Sequence, residues 1–121
     1  MSKPQYDLND FIEVCKNNVV IVTYKAQMTA REELKLNTKE DILQYIASFE
    51  NEKFEYIKTT DSEQQPGNII DVYSIKAKTP VYLAFQKNKI GKWIIKSFKK
   101  DDRYLPTDIS FNGMPINKKL F

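Results

Sequence analysis

The sequence predicts an α+β domain, with N-terminal helices packed on one face of an antiparallel sheet of about four to five strands. Two observations predict it. Up to residue 50 the apolar residues mostly recur at helical spacing, whereas from residue 54 they alternate or run in short β-branched and aromatic segments. The order also matters: helices first and strands second argues α+β rather than alternating α/β. At 121 residues the chain reads as one domain, 1–121, with 101–121 as a C-terminal extension that adds an edge strand or docks loosely.

In "YDLNDFIEVCKNN", Leu8, Phe11, Ile12 and Cys15 fall at i, i+3, i+4 and i+7, one stripe of an amphipathic helix. "VVIVT" is too short and too β-branched for a helix and reads as a buried strand. "KAQMTAREELKL" sets Ala26, Ala30 and Leu34 on one helical face. In "NTKEDILQYIASFE", Thr38 and Asp41 fit a capping box, and Ile42, Leu43, Ile46 and Phe49 form the stripe behind it. The period then changes. "KFEYIKTT", "IIDVYSIKA", "VYLAFQ" and "KWIIKSFK" read as strands. "DSEQQPGN" is a loop turning at Pro66-Gly67, while "KTP" and "KNKIG" join the last three strands as hairpins.

Composition narrows the function. No apolar run approaches the ~18 residues of a membrane helix, and "MSKPQYDLND" lacks the apolar stretch of a signal peptide, so a cytoplasmic protein with no membrane partner is expected. The single cysteine, Cys15, sits on an apolar helical face and reads as a buried, inert thiol. The absence of histidine removes the commonest general base and any His-ligated metal, so neither metal nor cofactor is expected. The net charge of +3 is unevenly spread: residues 1–80 hold 10 basic and 13 acidic side chains, and residues 81–121 hold 9 and 3. A basic C-terminal third suggests a polyanionic partner. A solvated lysine face that keeps a small protein soluble accounts for it equally well.

Strand alternation says what the second face of the sheet carries. In "VYLAFQ", Val81, Leu83 and Phe85 point to the helices, and Tyr82, Ala84 and Gln86 away from them. Strict alternation in "WIIKSFK" groups Ile94, Lys96 and Phe98 against Trp93, Ile95, Ser97 and Lys99; with Phe98 in the core, Lys99 points outward beside Ser97. In "KFEYIKTT" it places Phe54, Tyr56, Lys58 and Thr60 on one side. The outward face thus gathers Tyr82, Gln86, Ser97 and Lys99, with Lys58 or Tyr56 from the neighbouring strand. Ammonium groups neutralise phosphate, and an aromatic ring stacks on an unpaired base. RNA also brings its own nucleophile, the 2′-OH, so a catalyst needs only to move protons and stabilise charge on phosphorus. A lysine among other cations has a lowered pKa and can shuttle such protons. Tyrosines and lysines are equally common on solvent-facing strands with no function, and spacing alone favours that ordinary reading.

The order of these segments resembles the MqsR family of bacterial toxins, the motility quorum-sensing regulator type. These are small ribosome-independent mRNA interferases of RelE-like fold, held inactive by a cognate antitoxin. The resemblance covers roughly residues 6–100 and rests on "YDLNDFIEVCKNNVVIVTYKA", "LKLNTKEDILQYIASF", "FEYIKTTD", "IDVY", "VYLAF" and "IIKSFKK". It implies that the family's catalytic tyrosine falls on Tyr82 and its last-strand lysine on Lys99. The lysine two places after the strand's phenylalanine falls on Tyr56, with Lys58 two positions further on. The glutamine before Asp-Val-Tyr is Ile70 here, and the lysine two after the tyrosine is Ala84. On this reading Lys58, Tyr82, Lys99 and Tyr56 are the candidate catalytic residues, and Gln86, Lys96, Ser97, Lys100 and Arg103 the RNA-binding ones.

The expected function is therefore an endoribonuclease toxin. It would cut single-stranded mRNA by metal-independent 2′-OH attack and be neutralised by an antitoxin. The alternative is a non-catalytic RNA- or protein-binding protein on the same scaffold, such as a phage or mobile-element inhibitor of a host factor. A third reading, an immunity or antitoxin-like partner, fits the basic C-terminal third poorly, since partners of basic nucleases tend to be acidic.

Overall fold

In the computed structural model, which describes residues 3–61 and 68–102, the chain is an α+β fold of three α-helices on a mixed five-stranded sheet. The elements run α1 (Leu8–Lys16), β1 (Val20–Val22), α2 (Tyr24–Leu34), α3 (Lys39–Ala47), a 3₁₀ turn (Asn51–Lys53), β2 (Phe54–Asp61), β3 (Ile69–Ile75), β4 (Val81–Lys87) and β5 (Trp93–Lys100). The sheet order is β1-β5-β4-β3-β2. Strands β2 to β5 form the expected antiparallel meander. The difference lies at β1, which pairs parallel to β5 at the sheet's edge, Ile21 opposite Ile94. A strand whose chain leaves through a helix before the meander begins has no hairpin to set its direction.

Each helix starts on a side-chain cap. Asp7 accepts from the Asn9 and Asp10 amides at α1, and Thr23 from the Ala26 amide at α2. Thr38 and Asp41 close the capping box at α3, which contributes about 1 kcal/mol. Lys35 ends α2 in the left-handed region at φ 62°.

The core lies between the helices and one sheet face. Phe11, Ile42, Leu43 and Ile46 from the helices meet Ile75, Val81, Leu83, Phe85, Ile95 and Phe98, all essentially fully buried. Phe11 stacks on Phe85 with ring centroids 3.8 Å apart. Each such side chain contributes about 1.5–3 kcal/mol by leaving water. Ala26 and Ala30 let α2 lie close against β5, where Thr29 donates to the Phe98 carbonyl at 2.8 Å.

A carboxylate is buried on this core face. Asp71 of β3 accepts from the Gln5 and Tyr6 amides at 3.0 and 2.9 Å and from the Thr59 hydroxyl at 2.6 Å, pinning the N-terminal segment to the sheet. The Tyr6 hydroxyl completes the tie by donating to the Ile69 carbonyl at 2.5 Å.

The β4–β5 hairpin turns on Asn88, whose side-chain oxygen accepts from the Ile90 and Lys92 amides. Gly91 sits there at φ +87°, a conformation glycine takes without Cβ strain. The Pro66-Gly67 turn and the 103–121 part of the C-terminal extension lie outside the described residues. Among the described residues no helix is long and apolar enough to cross a membrane.

Candidate functional site

Two register shifts decide which side chains share the second face of the sheet. In β5 the pairing steps from Ala84–Ser97 to Phe85–Ile95, so Lys96 is the extra residue of a bulge. Trp93, Ile95 and Phe98 consequently all reach the core, and Ile94, Ser97 and Lys99 all face outward. Strict alternation had put Trp93 and Ile95 on the outward side and Ile94 with Phe98. In β2 the pairing steps from Tyr56–Tyr73 to Lys58–Val72, which makes Ile57 the extra residue. Phe54 and Tyr56 therefore face the helices, while Lys58 and Thr60 face away.

The outward face is a grid of three rows across the four long strands. Glu55, Ser74, Tyr82 and Lys99 form the first row. Lys58, Val72, Ala84 and Ser97 form the second, and Thr60, Ile70, Gln86 and Ile94 the third. A cleft of about 420 Å³ crosses this grid, with Lys58, Tyr82, Lys96 and Ser97 on its walls over a floor of Ile70, Val72 and Ala84. Lys99 stands directly opposite Tyr82, its ammonium 5.2 Å from the ring centroid. That cation–π contact is worth about 0.5–1 kcal/mol at an exposed position.

The fourth side is the start of α2, which contributes Thr23 and Lys25. The Thr23 amide donates to the Ile95 carbonyl at 3.2 Å and its hydroxyl to the Lys96 carbonyl at 3.4 Å, fixing the helix start beside the bulge. The positive end of a helix dipole thus joins Lys25, Lys58 and Lys96 around one concavity. The arrangement suits an anion with an apolar part: cations at the rim, apolar side chains beneath. Two buried polar atoms on the same face, Ser74 Oγ and Gln86 Oε1, have no hydrogen-bond partner in the structure. A buried polar group in that condition costs about 1–3 kcal/mol until an ordered water or a rotated side chain satisfies it.

The structure brings together Lys58, Tyr82, Lys96, Ser97 and Lys99, with Gln86 on the same face one step beyond Ala84. Tyr56 is not among them. It lies across the sheet, its ring 5.7 Å from that of Tyr73 and its hydroxyl 2.6 Å from that of Thr59. The bulge at Ile57 is the reason, and Tyr56 serves the core rather than the cleft. Lys100 also lies elsewhere: it pairs with buried Val81, and its amide donates to the Glu33 side chain at 2.9 Å. Arg103 lies outside the described residues.

Sequence reasoning missed Thr23 and Lys25. Thr23 carries a readable signal as an N-cap, but its nearness to the lysines depends on β1 docking parallel to β5. Among the described residues no group of three or more His, Cys, Asp or Glu side chains is placed to hold a metal ion. Neither a comparison with known protein families nor one with curated proteins returns a match for this chain.

Proposed function

We propose that the protein is a cytoplasmic endoribonuclease of the MqsR toxin type, which cleaves single-stranded mRNA and is neutralised by an antitoxin. The observation that carries this reading is that Tyr82 lines one cleft with Lys58 and Lys96 while Lys99 stands against its ring in the same row. The α+β fold and the ordered resemblance of residues 6–100 support it.

The reaction needs no group the chain lacks. The substrate's 2′-oxygen attacks phosphorus, the P–O5′ bond breaks, and a 2′,3′-cyclic phosphate and a 5′-hydroxyl result. Lys58 and Tyr82 place the phosphate and handle the two protons, one taken from the 2′-OH and one given to the departing 5′-oxygen. Lys99 stabilises negative charge as it builds on the phosphorane oxygens. Lys25 and Lys96, with the start of α2, hold the neighbouring backbone.

The apolar floor of Ile70, Val72 and Ala84 favours a second reading, an RNA-binding protein that does not cut. One experiment separates the two. Purified protein is incubated with mixed single-stranded RNA in the presence of EDTA, alongside Lys99→Ala and Tyr82→Phe. The nuclease reading expects discrete products ending in cyclic phosphate, and at least a ~100-fold slower rate in each variant with an unchanged circular-dichroism spectrum. Retarded but intact RNA supports the binder. Wild-type rates in both variants would remove Tyr82 and Lys99 from the chemistry.

A further inference from the structure

We infer that Tyr24, at the start of α2, is a stacking platform for an unpaired base of single-stranded RNA, beside the nucleotide whose phosphate lies in the cleft. The inference rests on the RNA reading above. Among the described residues four large apolar side chains are exposed: Val19 at 60%, Ile21 at 47%, Tyr24 at 78% and Ile90 at 79%. Ile90 stands apart in the β4–β5 turn, but the other three fall within residues 19–24. A single exposed apolar side chain needs no explanation, whereas a cluster marks a surface that meets something. Ile21 faces outward between buried Val20 and Val22, and through its register partner Ile94 it continues the row of Ile70 and Gln86.

The position of the cluster beside the cleft says what it meets. Thr23 and Lys25 both line the cleft, and Tyr24 lies between them in the chain. Consecutive Cα atoms are about 3.8 Å apart, so Tyr24 stands at the rim of the cleft without lining it. The backbone there is fixed from two sides. The Thr23 amide donates to the Ile95 carbonyl at 3.2 Å, and the Ala26 amide donates to the Thr23 hydroxyl at 3.2 Å. A ring carried on a fixed backbone loses little freedom when a base lands on it. Lysines next to an open aromatic ring match single-stranded nucleic acid: ammonium groups follow the phosphates, and a base covers the ring. Every base has a face to stack, so the platform adds affinity and does not read sequence.

The test is a cycle between the ring and the bases. Its probes are two fluorescent 2′-O-methyl strands of equal length, whose blocked nucleophile prevents cleavage. One is oligo(A); the other is abasic, with the same phosphates and no bases. Binding to the wild-type protein, Tyr24→Phe and Tyr24→Ala is followed by anisotropy at low salt. Tyr24→Ala should bind oligo(A) about 5- to 30-fold more weakly than the wild type, the loss of one stacked base. It should bind the abasic strand as tightly as the wild type does. Tyr24→Phe, which keeps the ring, should match the wild type on both strands. The slope of log affinity against log salt should be the same for Tyr24→Ala and the wild type, because no phosphate contact is lost. Wild-type affinity of Tyr24→Ala for oligo(A), or an equal loss on the two strands, overturns the platform and leaves RNA binding intact. Failure of the wild type to bind oligo(A) overturns the RNA reading and the platform together. One comparison needs no variant: the wild type should prefer oligo(A) to the abasic strand by at least the same factor, and equal affinities would overturn the platform even if Tyr24→Ala did not fold.

Discussion

Cys15 and Tyr73 carry the clearest response of single residues to pH. Burial pushes the Cys15 thiol up from its ordinary value of 9.0 to about 12. Burial, and then the charge of Asp71, push the Tyr73 phenol from 10.0 to about 12. Both groups are neutral in the fold, so Cys15 is the inert core thiol its helical position predicts. Between pH 9 and 12 the unfolded chain releases protons that the folded chain keeps. Stability should therefore be complete below pH 9 and should decline as pH climbs toward 12, by about 1.4 kcal/mol per pH unit for each group at most. Cys15→Ala should remove the part of this decline that begins near pH 9 and leave the tyrosine part, which begins near pH 10. Urea midpoints for both proteins at pH 8, 9.5 and 10.5 measure the difference. Parallel curves would mean that the thiol is not held neutral by the fold.

Among the elements, β5 shows how far sequence reasoning reaches. Its existence, its hairpin to β4 and the outward aim of Lys99 are all legible in "KNKIG" and "KWIIKSFK". The simultaneous burial of Trp93, Ile95 and Phe98 is not, because no strictly alternating strand can bury all three. The bulge at Lys96 is fixed by pairing with β4 and by the Thr23 bonds to the Ile95 and Lys96 carbonyls, which are tertiary contacts. The bulge at Ile57 hides the position of Tyr56 for the same reason. The helices were easier to read, since their caps and stripes are local. Deleting Lys96 leaves Trp93, Ile95 and Phe98 in a regular alternating pattern, so that variant should still fold, about 1–3 kcal/mol less stable. Deleting Ile94 instead turns Lys96 inward and Ile95 outward, and should abolish cooperative unfolding. Urea titrations followed by Trp93 fluorescence compare the two deletions. Equal damage from both would mean that the bulge itself supports the core.

For the whole molecule, the question is whether its uneven charge is a binding surface or a solvated face. Residues 1–80 and 81–121 differ in net charge, −3 against +6, yet the cleft draws lysines from both parts. Lys25 and Lys58 come from the acidic part and Lys96 from the basic part, with Lys99 alongside against the Tyr82 ring, so the fold concentrates cations in a way that a linear charge count does not show. The three lysines that line the cleft, with Lys99 beside Tyr82, should neutralise about three or four phosphates of a single strand. Each released counterion makes affinity depend on salt, and the slope of log affinity against log salt should be about −2 to −3. Raising salt from ~50 to ~200 mM should thus weaken RNA binding about 20- to 50-fold. Lys25→Ala tests the fold's contribution most sharply, because sequence reasoning gave no ground for including it. That variant should lower the slope by about 0.7, as one phosphate contact is lost, whereas Lys89→Ala in the β4–β5 turn should leave it unchanged. Equal slopes for the two variants would mean that the strand tracks overall charge and not the cleft.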